Sequence, residues 1–185
     1  MGKTWAYLSQ PTSDPGPVNG NWEPFLRYNT QYNTLQVYYS RENSAQDQDT
    51  LKRFSIDDGA TWTAPTTISG VDITSRDGMT GVATISGSTL MAVFESEING
   101  FFSIISVTST DSGKTWGNRN TIYTTTALNT SAGAPQIINV GCTLVVSFQT
   151  NEDLDSECAI IKLSCQLSGE ADYEWEWGLA LGATR

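Results

Sequence analysis

The sequence of 185 residues contains no histidine. This absence excludes a Ser-His-Asp triad, a Cys-His nucleophile pair and any zinc site with histidine ligands. Cysteine is also scarce, and Cys142, Cys158 and Cys165 are an odd number. They allow one bridge, for example between Cys142 and Cys158, but they predict no disulfide framework. We interpret all three as small buried apolar residues.

Positive charge is the next scarce feature. Ten Lys and Arg residues face 20 Asp and Glu residues, which gives a net charge of −10. A negative field repels nucleic acid, anionic membranes and anionic substrates, but it does not disfavour a neutral sugar polymer. No run approaches the roughly 18 apolar residues of a membrane helix, and no signal-peptide pattern is visible. We therefore expect neither a nucleic-acid nor a membrane partner, and the charge leaves a neutral sugar polymer open as a partner.

A repeated motif dominates what is present. Ser55–Trp62 and Ser109–Trp116 both read S-x-D-x-G-x-T-W, and partial copies occur at Gly2–Trp5 and Ser168–Trp175. The tryptophans that end these four copies are 57, 54 and 59 residues apart. A period near fifty is typical of a repeat architecture, so the unit must be interpreted before the fold.

Each unit has the same internal order of apolar, partly alternating segments. They fall at 24–28, 35–40 and 51–55, at 81–85, 90–95 and 101–109, and at 135–140, 144–149 and 158–164. A fourth strand follows each tryptophan, as at 121–124. Four antiparallel strands per unit predict an all-β propeller with about three blades, at 6–62, 63–116 and 117–175, in one partial domain spanning 1–185.

The repeated motif itself has a structural explanation. Its serine closes the third strand, its aspartate bonds the following backbone, and its glycine supplies a positive φ. The motif is identified as the Asp box, or BNR repeat, of sialidase-like propellers. Asp57 and Asp111 are therefore predicted to be turn residues and not catalytic groups.

Two other acids are better catalytic candidates. If Leu35, Leu90 and Leu144 are aligned, Glu95 falls opposite Ser40 and Gln149, while Glu23 falls opposite Thr80 and Ala134. Neither carboxylate is needed by the framework, because the other blades lack it. Strand direction places both at the upper inner rim, opposite the Asp boxes. Two such carboxylates suit a glycosidase, although solvated loop acids are the alternative interpretation.

Four further segments, in order, resemble the fungal exo-arabinanases of glycoside hydrolase family 93. They are Trp22–Phe25, Tyr38–Glu42, Ser75–Met79 and Val93–Ser96, and the resemblance spans about residues 1 to 153. It implies a six-bladed propeller that cleaves α-1,5-linked arabinan from the chain end with retention of configuration. It further implies catalysis by Glu23 and Glu95, no metal or organic cofactor, and an extracellular location.

The resemblance also suggests individual roles. Glu95 ends an apolar strand, and desolvation there would raise its pKa, so we expect it to be the acid/base. Glu23 is then the nucleophile, although the two roles could be exchanged. Retention predicts carboxyl groups about 5–5.5 Å apart. The substrate-binding candidates are Trp22, which could stack on a sugar ring or simply pack, and three charged residues that could bond sugar hydroxyls or form structural salt bridges: Arg41, Arg76 and Asp77.

The chain departs from this family in length. Family members carry about twice as many blades, this sequence begins within an Asp box, and the likeness fades after about residue 153. Half a ring would expose blade edges, which favours self-association. Two other functions therefore stay open. One is a non-catalytic or degenerate propeller fragment that binds carbohydrate or protein. The other is an exo-α-sialidase, which would need an arginine cluster from only six arginines.

Overall fold

The computed structural model describes residues 4–13, 20–141, 143–152, 160–167 and 176–181. Its regular structure is entirely β, and no helix in these ranges is long and apolar enough to cross a membrane. The strands are β1 (Asn21–Asn29), β2 (Thr34–Ser44), β3 (Asp47–Ser55), β4 (Thr66–Ser69), β5 (Arg76–Ser86), β6 (Thr89–Ile98), β7 (Phe101–Ser109), β8 (Gly117–Tyr123), β9 (Ala132–Val140), β10 (Thr143–Thr150), β11 (Ile160–Leu167) and β12 (Glu176–Leu181).

The twelve strands form three consecutive antiparallel blades, β1–β4, β5–β8 and β9–β12. The all-β fold with four-stranded blades is thus confirmed. Blades one and two belong to one sheet, because Gln48 of β3 pairs in parallel with Arg76 of β5. Blade three is a separate sheet. The motif copies at Gly2–Trp5 and Ser168–Trp175 lie wholly or partly outside the described residues, as do Cys142 and Cys158.

Apolar side chains fill the spaces between neighbouring blades. Between blades one and two the cluster is centred on Tyr38, Val82, Phe94 and Val107. Between blades two and three lies a second cluster, made of Met91, Val93, Ile104, Ile122, Tyr123, Ala132, Leu144, Val146 and Phe148. Alternation along β2, β6 and β10 sends these residues into the cores, which explains why the period-two pattern predicted the strands.

The outward faces of the first and third blades carry exposed apolar side chains. Ile138 and Val140 of β9 are each 59% exposed, and Leu26 and Tyr28 of β1 are similarly open. Such residues are usually covered in a soluble protein when they form a continuous patch. Self-association through these faces stays a prediction.

Both Asp boxes fold in the same way. In the first, the Asp57 carboxylate accepts bonds from the Thr61 backbone N–H at 2.9 Å and from the Thr61 hydroxyl at 2.6 Å. The Ser55 hydroxyl accepts the Gly59 N–H at 2.8 Å, and Gly59 has φ 90°. The second box repeats every one of these contacts. Trp62 and Trp116 each pack against the glycine of their own box, as equivalent residues should.

Replacing Asp57 by alanine should weaken the fold in a pH-dependent way. Hydrogen bonds from Thr61 lower the pKa of Asp57 from the ordinary 3.8 to about 2. Its stabilisation is therefore present above pH 3.8 and is lost as the pH falls through 2. Thermal melts should show that Asp57→Ala is less stable than the parent chain at pH 7 and that the difference disappears near pH 2. An Asp57→Ala variant that melts like the parent chain at pH 7 would contradict the structural role.

Candidate active site

A bulge interrupts the first strand of every blade. The extra residue is Glu23 in blade one, Met79 in blade two and Ala134 in blade three, with φ of 57°, 54° and 52°. Each lies at a register shift against the second strand. The equivalence of Glu23 with Ala134 is confirmed, but its equivalence with Thr80 is wrong by one residue. Bulges of this kind re-aim side chains and backbone groups near functional sites.

The second strands supply the facing residues. Ser40, Glu95 and Gln149 each lie opposite the residue that precedes the bulge of their own blade. Their equivalence, expected from the leucine alignment, is therefore confirmed. Of these three positions only that of blade two holds a carboxylate. Likewise, Glu23 is the only acid among the three bulge residues.

Glu23 reaches from blade one to blade two. Its Oε2 accepts the Met79 backbone N–H at 2.7 Å and the Ser40 hydroxyl at 3.1 Å. No described protein group donates to Oε1. The carboxylate is thus held through one oxygen, and Glu23 as a residue is exposed.

Glu95 reaches from blade two to blade three in the same manner. Its Oε2 accepts the Ala134 N–H at 2.7 Å, and the side chain is half-buried. Burial raises the pKa of Glu95, and the negative charge of Glu23 raises it further. The Ala134 hydrogen bond and the positive charge of Arg76 oppose this rise. The net direction is upward, which keeps a carboxyl group protonated at higher pH than usual.

Both glutamates lie close to the first residues of β5. Gly78 pairs with Glu95 in the sheet, and a Cβ added at Gly78 would lie 2.8 Å from the Oε2 atom of Glu23. Met79 binds Glu23 and also lines a pocket beside Glu95. Both glutamates therefore neighbour the same two residues of β5, and their catalytic pairing stays a prediction.

The pocket beside Glu95 has a volume of about 340 Å³, within the usual range for ligand pockets. It is lined by Met79, Glu95, Phe102, Ser131, Gly133, Gln149, Thr150 and Asn151. Among the described residues that line it, Glu95 alone is charged. The other polar lining groups are neutral amides and hydroxyls, with Phe102 and Met79 as apolar surfaces.

Trp22 stands beside Glu23 with 49% of its surface exposed. Its indole N–H donates to Glu42 Oε2 at 3.2 Å, and Glu42 Oε1 accepts Arg76 Nη1 at 2.7 Å. These bonds lower the pKa of Glu42, with Arg76 as the largest cause. Arg76 is thus committed to orienting Trp22 through Glu42. Arg41 instead bonds Asn43 at 3.2 Å and Asp49 at 3.5 Å, away from this chain of contacts.

Asp77 is fully buried and paired with a residue that sequence reasoning missed. The guanidinium of Arg119 grips both carboxylate oxygens, at 2.6 and 3.0 Å, and Ser69 and Ser75 donate at 2.5 and 2.9 Å. Burial acts to raise the pKa of Asp77, but the bonds from Arg119 and the serines outweigh it and lower the pKa. With every oxygen occupied, Asp77 fits the salt-bridge interpretation and not a direct contact with sugar.

No group of three or more Cys, Asp or Glu side chains in the described ranges is arranged to hold a metal ion. The five arginines of these ranges, Arg27, Arg41, Arg53, Arg76 and Arg119, all bond protein acceptors.

Comparison with known proteins identifies structures that share this fold. No protein-family model and no curated protein matches the sequence. Among solved structures, the alpha-L-arabinanase of Penicillium chrysogenum complexed with arabinobiose is similar over 84% of this chain, with TM-score 0.65 and 15% identity. The alpha-L-arabinofuranosidase Arb93A of Fusarium graminearum is similar over 77%, with TM-score 0.54 and 23% identity. The NanB sialidase of Streptococcus pneumoniae is similar over 83%, with TM-score 0.51 and 15% identity.

These matches cover only part of each neighbour. The chain spans 50% of the Penicillium protein, 45% of the Fusarium protein and 23% of the sialidase. At such identities the likeness shows a shared propeller architecture, and function must be argued from the site.

Proposed function

We propose that this chain carries the catalytic glutamates of a retaining glycoside hydrolase that cleaves α-1,5-linked arabinan from the chain end, outside the cell. The observation that carries the proposal is that two blade-unique carboxylates lie on either side of the start of β5. Each has one oxygen fixed by a backbone N–H of the next blade, and no group in the described ranges donates to the other oxygen. Two glutamates that flank one glycosidic bond are the catalytic requirement of this reaction class.

The roles follow from the surroundings. Burial and the charge of Glu23 raise the pKa of Glu95, which favours Glu95 as the acid. In this role Glu95 donates its proton to the glycosidic oxygen as the bond to the leaving sugar breaks. The free Oε1 of Glu23 forms a bond to the anomeric carbon and gives a glycosyl-enzyme. Glu95, now ionised, takes a proton from water while the water oxygen displaces Glu23 from the same carbon. Two displacements restore the original configuration.

The pocket favours a neutral sugar. Gln149 and Asn151 offer uncharged hydrogen-bonding groups, and Phe102 offers an apolar face for a furanose ring. No described residue of the pocket lining carries the positive charge that would pair with a sugar carboxylate, as an exo-α-sialidase would need. Among the structural neighbours, the Penicillium alpha-L-arabinanase was solved with arabinobiose, which supports a neutral pentose oligomer as substrate. Trp22, whose indole N–H donates to Glu42, offers a second stacking surface beside Glu23.

The direct test is incubation of the whole chain with linear debranched arabinan, and separately with a sialoside. We expect release of short arabinose oligomers from arabinan, with the newly formed anomeric centre in its original configuration by NMR, and no sialic acid. Binding of arabinan without release of sugar would instead identify a non-catalytic binding module. Release of sialic acid would overturn the proposal in favour of an exo-α-sialidase.

A further inference from the structure

The first-strand bulges of blades two and three each present a backbone N–H to a carboxylate of the preceding blade. Met79 donates to Glu23 and Ala134 donates to Glu95, both at 2.7 Å. Both donors have the left-handed φ that turns the amide out of the strand ladder. The residue before the bulge is glycine in these two blades and Trp22 in blade one.

At both glycines a side chain would collide with the glutamate that the bulge holds. A Cβ added at Gly133 would lie 2.5 Å from Glu95 Oε2, and one added at Gly78 would lie 2.8 Å from Glu23 Oε2. Real Cβ atoms essentially never make contacts this short, so the carboxylate would have to move. At Gly133 every atom in the way belongs to the flexible Glu95 side chain. A methyl group there would therefore shift Glu95 and leave the blade intact.

We propose that Gly133 and Ala134 of the third blade are positioning residues that fix the carboxylate of Glu95, so that blade three completes a catalytic group belonging to blade two. This inference rests on the proposed glycosidase function for its kinetic consequence. The geometric part concerns only where the Glu95 carboxylate lies and what bonds it, and it can be measured without any substrate.

Three groups act on Glu95 besides its own burial. The Ala134 N–H and Arg76 favour the ionised form, while Glu23 disfavours it. Gly133→Ala should push the carboxylate off the Ala134 N–H and leave the other two influences in place. Loss of a donor to the charged form raises the pKa. The pKa of Glu95 should therefore be higher in Gly133→Ala than in the parent chain. The alkaline limb of the pH–rate profile should move to higher pH with it.

The experiment compares the parent chain with Gly133→Ala and with Gly117→Ala, a control whose added methyl meets open space. Glutamate side chains are labelled with ¹³C, the Glu95 signal is assigned by its loss in Glu95→Gln, and its titration is followed by NMR. We expect a higher Glu95 pKa in Gly133→Ala only, together with a roughly tenfold to hundredfold lower kcat, because a misplacement of about 1 Å costs that much. Melting temperatures should stay alike.

A second measurement needs no variant. In the parent chain the backbone N–H resonance of Ala134 should shift with an inflection at the pKa of Glu95, because its hydrogen bond changes when the carboxyl is protonated. An Ala134 resonance that ignores this titration, or a Glu95 pKa equal in both glycine variants, would overturn the inference. If both NMR results hold and no sugar is released from arabinan, the positioning stands and the proposed hydrolysis fails.

Discussion

Replacing Glu95 by glutamine should lower kcat for arabinan about 10²–10⁴-fold, the usual contribution of a general acid/base. Glutamine keeps the size of the side chain but cannot donate a proton to the leaving oxygen. The raised pKa of Glu95 should define the alkaline limb of the parent pH–rate profile, since activity falls as the acid ionises. That limb should vanish in Glu95→Gln. Initial rates across pH, with matched melting curves, provide the measurement.

The assignment of roles can be separated in the same series. An aryl arabinofuranoside whose phenol leaves readily needs no protonation, so Glu95→Gln should regain much of its first-step rate on it. Glu23→Gln should stay inactive on this substrate, because the variant lacks the nucleophile. Glu97→Gln serves as the control, since Glu97 lies two residues along the same strand and contacts Arg76 at 3.8 Å. If Glu97→Gln and Glu95→Gln lowered kcat by the same factor, catalysis by Glu95 would be contradicted.

Replacing Arg119 by methionine should destabilise the chain by about 3–5 kcal/mol, the typical result of leaving one partner of a buried ion pair unpaired. Asp77 is completely buried and depends on Arg119 for two charge-assisted bonds. Methionine keeps an unbranched apolar side chain but removes the guanidinium group that bonds Asp77 and lies over the Phe94 ring. At roughly 2–4 °C per kcal/mol for a chain of this size, the melting temperature should fall by about 10 °C. Calorimetry or circular dichroism would record it.

The matched control is Arg41→Met. Arg41 makes one long contact of 3.5 Å with the buried Asp49, and its own side chain is 32% exposed, so its loss should cost clearly less than the loss of Arg119 with its two short bonds. Adding Asp77→Asn to Arg119→Met should recover part of the loss, because no charge is then left buried. Similar melting temperatures for Arg41→Met and Arg119→Met would show that the buried pair is not a main support of blade two.

The blades could be predicted because their signals are local and repeated. Alternation marked the strands, and the two S-x-D-x-G-x-T-W copies marked the turns that the structure builds with identical bonds. The one-residue error, which set Glu23 against Thr80 instead of Met79, has a physical cause. The link between the first and second strands differs in length from blade to blade, because Leu35 pairs with Tyr28, Leu90 with Thr84 and Leu144 with Asn139. A count back from the aligned leucines therefore does not carry over to the first strands.

The candidate site was predictable only where it was set by position in the repeat. Glu23 and Glu95 stood out because the other blades lack a carboxylate there. Arg119 did not, because its partner Asp77 lies 42 residues earlier and the two meet only through the pairing of strands in blade two. One weak signal existed: Arg119 comes three residues after Trp116, where the first repeat has Pro65 after Trp62. The glycine requirement at position 133 depends on a contact between blades that no local pattern encodes.

The division into two sheets has a consequence for how the molecule opens. Blades one and two share a continuous hydrogen-bonded ladder through Gln48 and Arg76, whereas blade three meets blade two through apolar side chains and a few polar contacts. Cooperative unfolding units tend to follow such divisions. Blade three can therefore undock as a subglobal unit while the first two stay folded. Each such excursion would withdraw the Ala134 amide from Glu95. Under the proposed function, an undocking equilibrium would then set the fraction of molecules with a correctly placed Glu95.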